Sequence, residues 1–443
     1  MKQRNMKLDA TVIGLALFAM FFGAGNLIFP PYLGMESGNK WFLGFLLFII
    51  ADIGLAFVAI ILMSRGEGTC DGIMGVLGKK AAFILNTAII VCVGPLLAVP
   101  RTAATTYEMM VCPIVSGVNT WIFSVVFFGI TLLLTIKPTK VMDIIGEFLT
   151  PVMVVALIVL IVAGVAHPLG DIAYPVINSV VSEGIMNGYQ AMDIFGAFCF
   201  AMVIYTTIKS KGYTEKKDRV KITSIACLIA GALLFMIYCG LAYLGATYSN
   251  TGNLALLNQA GLIIAITKAL LGRSGVLMLG LIVGLACLTT SIGLTSASAA
   301  YFEKITKGRL KYTASVVVIC IFSMVVSNFG LSTIISFAAP VLCIINPIVT
   351  CLIIMYMFND RLSNHNIYKG AILVVLVVSV LTVGESYGLP FGFINYLPLA
   401  AYQLNWVLPA AIGGLVGACI KPDIKLKSGN GFKMRASSQA LYK

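Results

Sequence analysis

FFGAGNLIFPPYLG, residues 21–34, decides how the rest of the chain is read. It lies within the first apolar run, which starts near Asp9 and meets no further charge until Glu36. A helix crossing lipid bonds each backbone group to the next turn, because hydrocarbon offers no partners. Gly23, Ala24, Gly25 and Asn26 interrupt that ladder at mid-depth, and Pro30–Pro31 follow. Glycine lowers the cost of leaving helical geometry, and proline removes donors. Backbone freed at the midplane persists only where protein, water, an ion or a ligand satisfies it, so the stretch is a candidate site for a transported solute. Plain helix packing also uses glycine and proline in membranes and stands as the alternative.

Composition agrees with a membrane setting. Of 443 residues, 59% are hydrophobic and 11% charged, with a mean hydropathy of +0.99. A soluble domain carries about 25% charged residues, so the chain reads as a polytopic membrane protein. Most of the 11 cysteines sit in apolar runs without a CxxC or Cys/His spacing, and there are only two histidines, His167 and His365. No metal cluster, nucleophile–base spacing or nucleotide motif is evident, so neither an enzyme nor a cofactor is expected. The first apolar run is too long for a cleavable signal peptide.

Spans of roughly 20 apolar residues are expected at 9–34, 40–63, 81–108, 120–136, 142–166, 187–208, 220–246, 274–302, 313–328, 331–357, 368–384 and 400–420. All 30 basic residues except Lys40, Arg101, Lys268 and Arg273 then fall on one face. By the positive-inside rule both termini are cytoplasmic, and the net charge of +13 is a topology signal with no nucleic acid implied. Residues 250–273 form a long external segment whose helical run suits a lid or re-entrant hairpin. Residues 1–8 are a cytoplasmic N-terminus, and 421–443 read as a disordered polar tail.

The sixth span repeats the interruption of the first. GYQAMDIFGAFCFAMVI buries Asp193 in apolar sequence ahead of Gly196–Ala197, and both spans contain Phe-Gly-Ala. Paired interruptions in corresponding halves point to an inverted-repeat transporter, with helices 1–5 (residues 9–166) matching helices 6–10 (187–357) and two further helices at 368–420. The eighth span contains ACLTTSIGLTSASAA, residues 286–300. There Thr289 and Thr290 can offer hard oxygen ligands beside the Ala286 carbonyl; small-residue packing is the alternative.

GAGNLIFPP, VGPLLAVPRTA (93–103), MDIFGA (192–197) and ACLTTSIGLT together resemble the bacterial branched-chain amino acid–cation symporter family, along residues 8–420. The resemblance implies an all-α, leucine-transporter-type fold in the bacterial cell membrane: twelve helices, a five-plus-five inverted repeat, and discontinuous helices 1 and 6. It implies uptake of leucine, isoleucine and valine driven by sodium. Carried over by position, the ion would meet the carbonyls of Ala19, Phe22 and Ala286 and the hydroxyls of Thr289 and Thr290. Asn26 matches a position that serves a second cation in some relatives. The stretch 150–165 holds no ionisable residue that could replace sodium. A proton-coupled permease, with Asp193 or Asp52 carrying the proton, and a transporter-derived sensor remain the rivals.

The substrate carboxylate is expected at the free amides of Gly23, Ala24 and Gly25, at the positive end of the outer half-helix. Its ammonium is expected at carbonyls near Ile194, Phe195 and Gly196, beside Ala197, with Asp193 assisting. Phe195, Phe198, Leu97 and Leu294 are candidates to line the aliphatic pocket. Intramembrane charge marks function by default. Arg101 is placed to guide the carboxylate or close an external gate with Glu108. Asp52 reads as a buried hydrogen-bonding post, and Asp143 and Glu147 as an inner helix start.

Overall fold

The computed structural model describes residues 5–66, 68–115, 117–136, 140–250, 257–362 and 364–420, with 140–150 described as backbone only. The 421–443 tail and the side chains of Asp143 and Glu147 lie outside the described residues. Among the described residues every regular element is helical and none is a strand.

Among the described residues, twelve helical spans run back and forth. The first comprises Met6–Phe21 and Ala24–Ser37. The second is Trp41–Ile49 and Leu55–Ser64, joined by a π-turn at Ile50–Gly54. The third extends from Lys79 to Val111 with π-turns at Cys92–Leu96 and Tyr107–Val111. Thr120–Ile136 and Lys140–Ala166 complete the first repeat. The sixth is Val180–Ala191 plus Asp193–Ser210, and the seventh is Lys216–Tyr248. Gln259–Ile305 bends at Gly272 (φ 66°, ψ −160°), which separates a first helix at 259–271 from the eighth span. Tyr312–Ser327, Leu331–Met357, His365–Ser386 and Val407–Cys419 follow.

The two interruptions fall slightly ahead of their expected places. In the first span, Phe22 (φ −72°, ψ 97°) and Gly23 (φ −126°, ψ −169°) are extended, and Ala24, Gly25 and Asn26 already form the first turn of the outer half. In the sixth, the break is one left-handed residue, Met192 (φ 68°, ψ 16°), and 194–197 are helical. A non-glycine residue there costs about 1–2 kcal/mol, so packing must hold it. The sixth span also starts at Val180 rather than 187, because Ser182, Glu183 and Asn187 mimic a loop in sequence. In the fold Ser179 caps that helix, accepting from the Ser182 N–H at 3.2 Å. The last span begins at Val407, since 392–396 and 400–402 are 3-10 turns.

Close backbone approach locks the outer half of the first span to the seventh. A methyl on Gly34 would lie 1.9 Å from the Ala242 carbonyl oxygen, and one on Gly245 would lie 1.8 Å from that of Pro31. Small residues bring helices together in lipid in this way, where water supplies no driving force. At the same end, the segment after the fifth span forms a strap. Val176 donates to the Glu36 carbonyl at 3.0 Å, Asn39 to that of Ala173 at 2.8 Å, and the Ala173 N–H to Ser249 Oγ at 2.8 Å. The helix at 259–271 buries Ala260, Leu262, Ile263 and Ile266 completely, as a lid would. At the opposite, basic end, Asp9 bonds Lys211 Nζ at 2.8 Å and the Tyr213 hydroxyl at 2.9 Å.

Candidate functional site

Each break leaves one half-helix with unpaired carbonyls and its partner with unpaired amides. In the first span the Phe22 N–H still reaches the Phe18 carbonyl at 2.8 Å. Because Gly23 then turns away, the carbonyls of residues 19–22 find no acceptor-to-amide bond within the helix. Ala19 and Phe22 belong to this set. Beyond Gly23, the amides of Ala24, Gly25 and Asn26 open the second half at its positive end.

The sixth span supplies the mirrored arrangement, in a different place from the one expected. Its free carbonyls belong to Gln190 and Ala191, at the C-terminus of Val180–Ala191, whereas Ile194–Gly196 sit inside the following helix. Phe195 and Gly196 donate back to the Met192 carbonyl at 3.1 and 3.0 Å, and Asp193 N donates to Asp52 Oδ1 at 3.2 Å. Asp52 is therefore an N-terminal cap for the inner half, carried on the π-turn of the second span. Its Oδ2 is buried and has no hydrogen-bond partner.

A buried network ties the breaks together. Asn26 Nδ2 donates to Asp193 Oδ2 and to the Tyr238 hydroxyl, both at 2.5 Å. Arg101 donates from Nη1 to the Gln190 carbonyl at 2.5 Å and from Nη2 to that of Ala191 at 3.2 Å. The guanidinium lies over the Phe29 ring at 5.6 Å. Gly25 makes room for it, since a methyl there would come within 2.8 Å of Nη2.

Below the first break a cavity of about 1100 Å³ opens toward the basic end, with Asp71, Lys79 and Lys304 at its mouth. Its walls include Ala19, Phe22, Phe198, Ala286, Thr289 and Thr290. Thr289 Oγ1 donates to the Ala286 carbonyl at 2.9 Å, leaving its lone pairs free, and Thr290 Oγ1 stands 3.6 Å from where a Gly23 methyl would be. At the mouth, burial pushes the Cys70 thiol up to about 11, so it is neutral at physiological pH. On the far side of Gly23 the packing tightens to a void of about 10 Å³ among Ala24, Leu27 and Val283. The wide cavity thus lies on the basic side of Gly23 and only a small void on the other.

Several expected partnerships differ. Arg101 does not pair with Glu108, which instead accepts from Asn258 Nδ2 at 2.8 Å and the Leu331 N–H at 3.2 Å, fastening the lid helix and the tenth span. The two stand on the same span but reach toward different neighbours. Of the four aliphatic-pocket candidates, Phe198 lines the cavity, while Leu97, Phe195 and Leu294 are buried away from it. Ala197, fully buried, packs in the inner half. Tyr238 and the carbonyls of Gln190 and Ala191 were not picked out from sequence. A tyrosine hydroxyl deep in an apolar span was the available signal for the first.

A family model described as branched-chain amino acid transport protein matches residues 6–423. A candidate branched-chain amino acid carrier of Staphylococcus aureus strain USA300 is 33% identical over 442 residues, covering 94% of this chain and 98% of its own. One from Staphylococcus saprophyticus is 34% identical over 438 residues, with the same coverage. Among solved structures, a Na+-coupled sialic acid symporter aligns with a TM-score of 0.61 at 15% identity, over 95% of this chain and 91% of its own. MhsT in complex with L-phenylalanine aligns at 0.55 and 15%, over 92% and 97%. At such identity the likeness speaks for the fold alone: a leucine-transporter-type, five-plus-five helical bundle with two further spans.

Proposed function

Because the chain belongs to the branched-chain amino acid transport protein family, we propose that it takes up leucine, isoleucine and valine in symport with sodium, by alternating access. What carries the proposal is the convergence of two broken spans on one buried site, with an oxygen-rich wall beside the first break. The carbonyls of Ala19, Phe22 and Ala286 and the hydroxyls of Thr289 and Thr290 form a neutral, hard donor set at the negative end of a half-helix, which suits an alkali cation. The amides of Gly23, Ala24 and Gly25 would hold the substrate carboxylate. A pocket without a spare charge rejects charged side chains, while one methylene changes affinity by only about 1–3 kcal/mol. Leucine, isoleucine and valine should therefore all pass.

With the basic end taken as cytoplasmic, the cavity is inward-open, and the lid helix with its Glu108 contacts closes the outside. Leucine uptake into proteoliposomes, with sodium and proton gradients imposed independently, tests the coupling; uptake indifferent to sodium would end it. One observation favours proton symport as a second reading. Asp52 and Asp193 lie buried against one another, Asp52 Oδ1 3.2 Å from the Asp193 amide, and Asp52 Oδ2 accepts no N–H. In that case the proton gradient alone would drive uptake.

A further inference from the structure

Arg101 is 5% exposed, yet its two bonds go to peptide carbonyls. Among the described residues the ion pair found within 4 Å is Lys211–Asp9, at the far end of the bundle. A buried guanidinium commonly takes a carboxylate in a bidentate grip. Here Asp193 is engaged by Asn26 and Asp52 by the Asp193 amide, and the guanidinium caps the negative end of Val180–Ala191 instead. Those carbonyls, freed by the Met192 break, are what a zwitterion's ammonium needs.

We infer that the Arg101 guanidinium stands in for the amino group of an absent substrate, filling the Gln190 and Ala191 carbonyls until an amino acid displaces it. The exchange leaves no bare carbonyl at the helix end, since one cation arrives as the other leaves, and the displaced guanidinium pairs with the substrate carboxylate placed beside Gly25, which it already adjoins. The surroundings fit a side chain that moves. Phe29 offers one face for the guanidinium, and Gly25 presents no side chain in its way. The third span is interrupted seven residues earlier, about two turns, where Gly94 leaves helical geometry (φ −82°, ψ −113°). Arg101 is thus a specificity-determining residue: a solute without an amino group cannot replace it at the carbonyls.

The inference rests on the transport reading of the same site, and a probe lacking a carboxylate separates the two. Leucinol keeps the amine and side chain of leucine but offers the guanidinium no anion. Its binding to purified protein, measured by calorimetry, should tighten about tenfold in Arg101→Gln, because the competitor for the carbonyls is gone. Phe29→Leu, which keeps the charge and removes its platform, should give a gain in the same direction of about threefold. If Arg101→Gln does not fold, Phe29→Leu decides. Leucinol binding that is unchanged or weaker in the folded variants would overturn the inference while leaving leucine transport standing. Wild-type protein that neither binds nor transports leucine would remove the transport reading and the inference with it.

Discussion

Thr289→Val together with Thr290→Val tests the cation wall while keeping side-chain shape. Each substitution swaps one hydroxyl for a methyl of similar size, so little packing is lost. Thr289 Oγ1 gives its proton to the Ala286 carbonyl at 2.9 Å and can turn only lone pairs toward an ion, and Thr290 Oγ1 lies beside Gly23 at the mouth of the break. A polar contact to a charged partner is worth about 1.5–3 kcal/mol net. At 1.4 kcal/mol per factor of ten, losing one ligand raises the sodium concentration for half-maximal uptake by roughly 10- to 100-fold. The two losses will not add fully, because the hydroxyls share one ion. Thr289→Ser, which retains the oxygen, should stay within about threefold of wild type. The assay is initial leucine uptake into proteoliposomes across a sodium series at fixed pH. An unchanged half-saturation in the double valine variant, with normal insertion, would refute the placement of the ion at this wall.

Gly25→Leu drives a side chain into the Arg101 guanidinium, 2.8 Å from the first added carbon, and should abolish leucine binding in a protein that still inserts; retained binding would make the first break purely structural. Asn26→Ala leaves Asp193 Oδ2 and the Tyr238 hydroxyl without their shared donor; burying such groups unpaired costs about 1–3 kcal/mol each, visible as a lower melting temperature in detergent, and Asn26→Gln should not restore it. Glu108→Ala removes the acceptor for Asn258 and Leu331 and should loosen the lid helix, read as faster labelling of a cysteine placed at 262; labelling at the wild-type rate would contradict that role.

Much of the architecture was legible because lipid leaves the backbone few options. The spans came out of apolar length, and Asn328–Gly330 was short enough to join two helices while remaining visible as SNFGLS. The Phe22–Gly23 break announced itself through glycine. The Met192 break did not, because its residue is an ordinary apolar one held left-handed by its packing, whereas Gly196 carries the glycine that signals a break in sequence. That displacement by a few residues moved the predicted acceptors from Gln190 and Ala191 into the helix behind them. Arg101 and Asp193 were recognisable as costly intramembrane charges. Their partners were not: Asn26 and Asp52 reach Asp193 from two other spans, at separations of 167 and 141 residues, and Tyr238 joins through Asn26 from a third.

The stitching of the first span at both extremities has a mechanical corollary. Asp9 is tied to the loop after the sixth span, and the Glu36–Asn39 corner is tied to the strap, which Ser249 holds in turn at Ala173. Ties at both tips favour folding over sliding as one piece, with the two halves acting as levers about a fulcrum at Phe22–Gly23. If the proposed solute and ion wall lies on that fulcrum, an occupant there would set the angle between the levers, and so which doorway stands ajar.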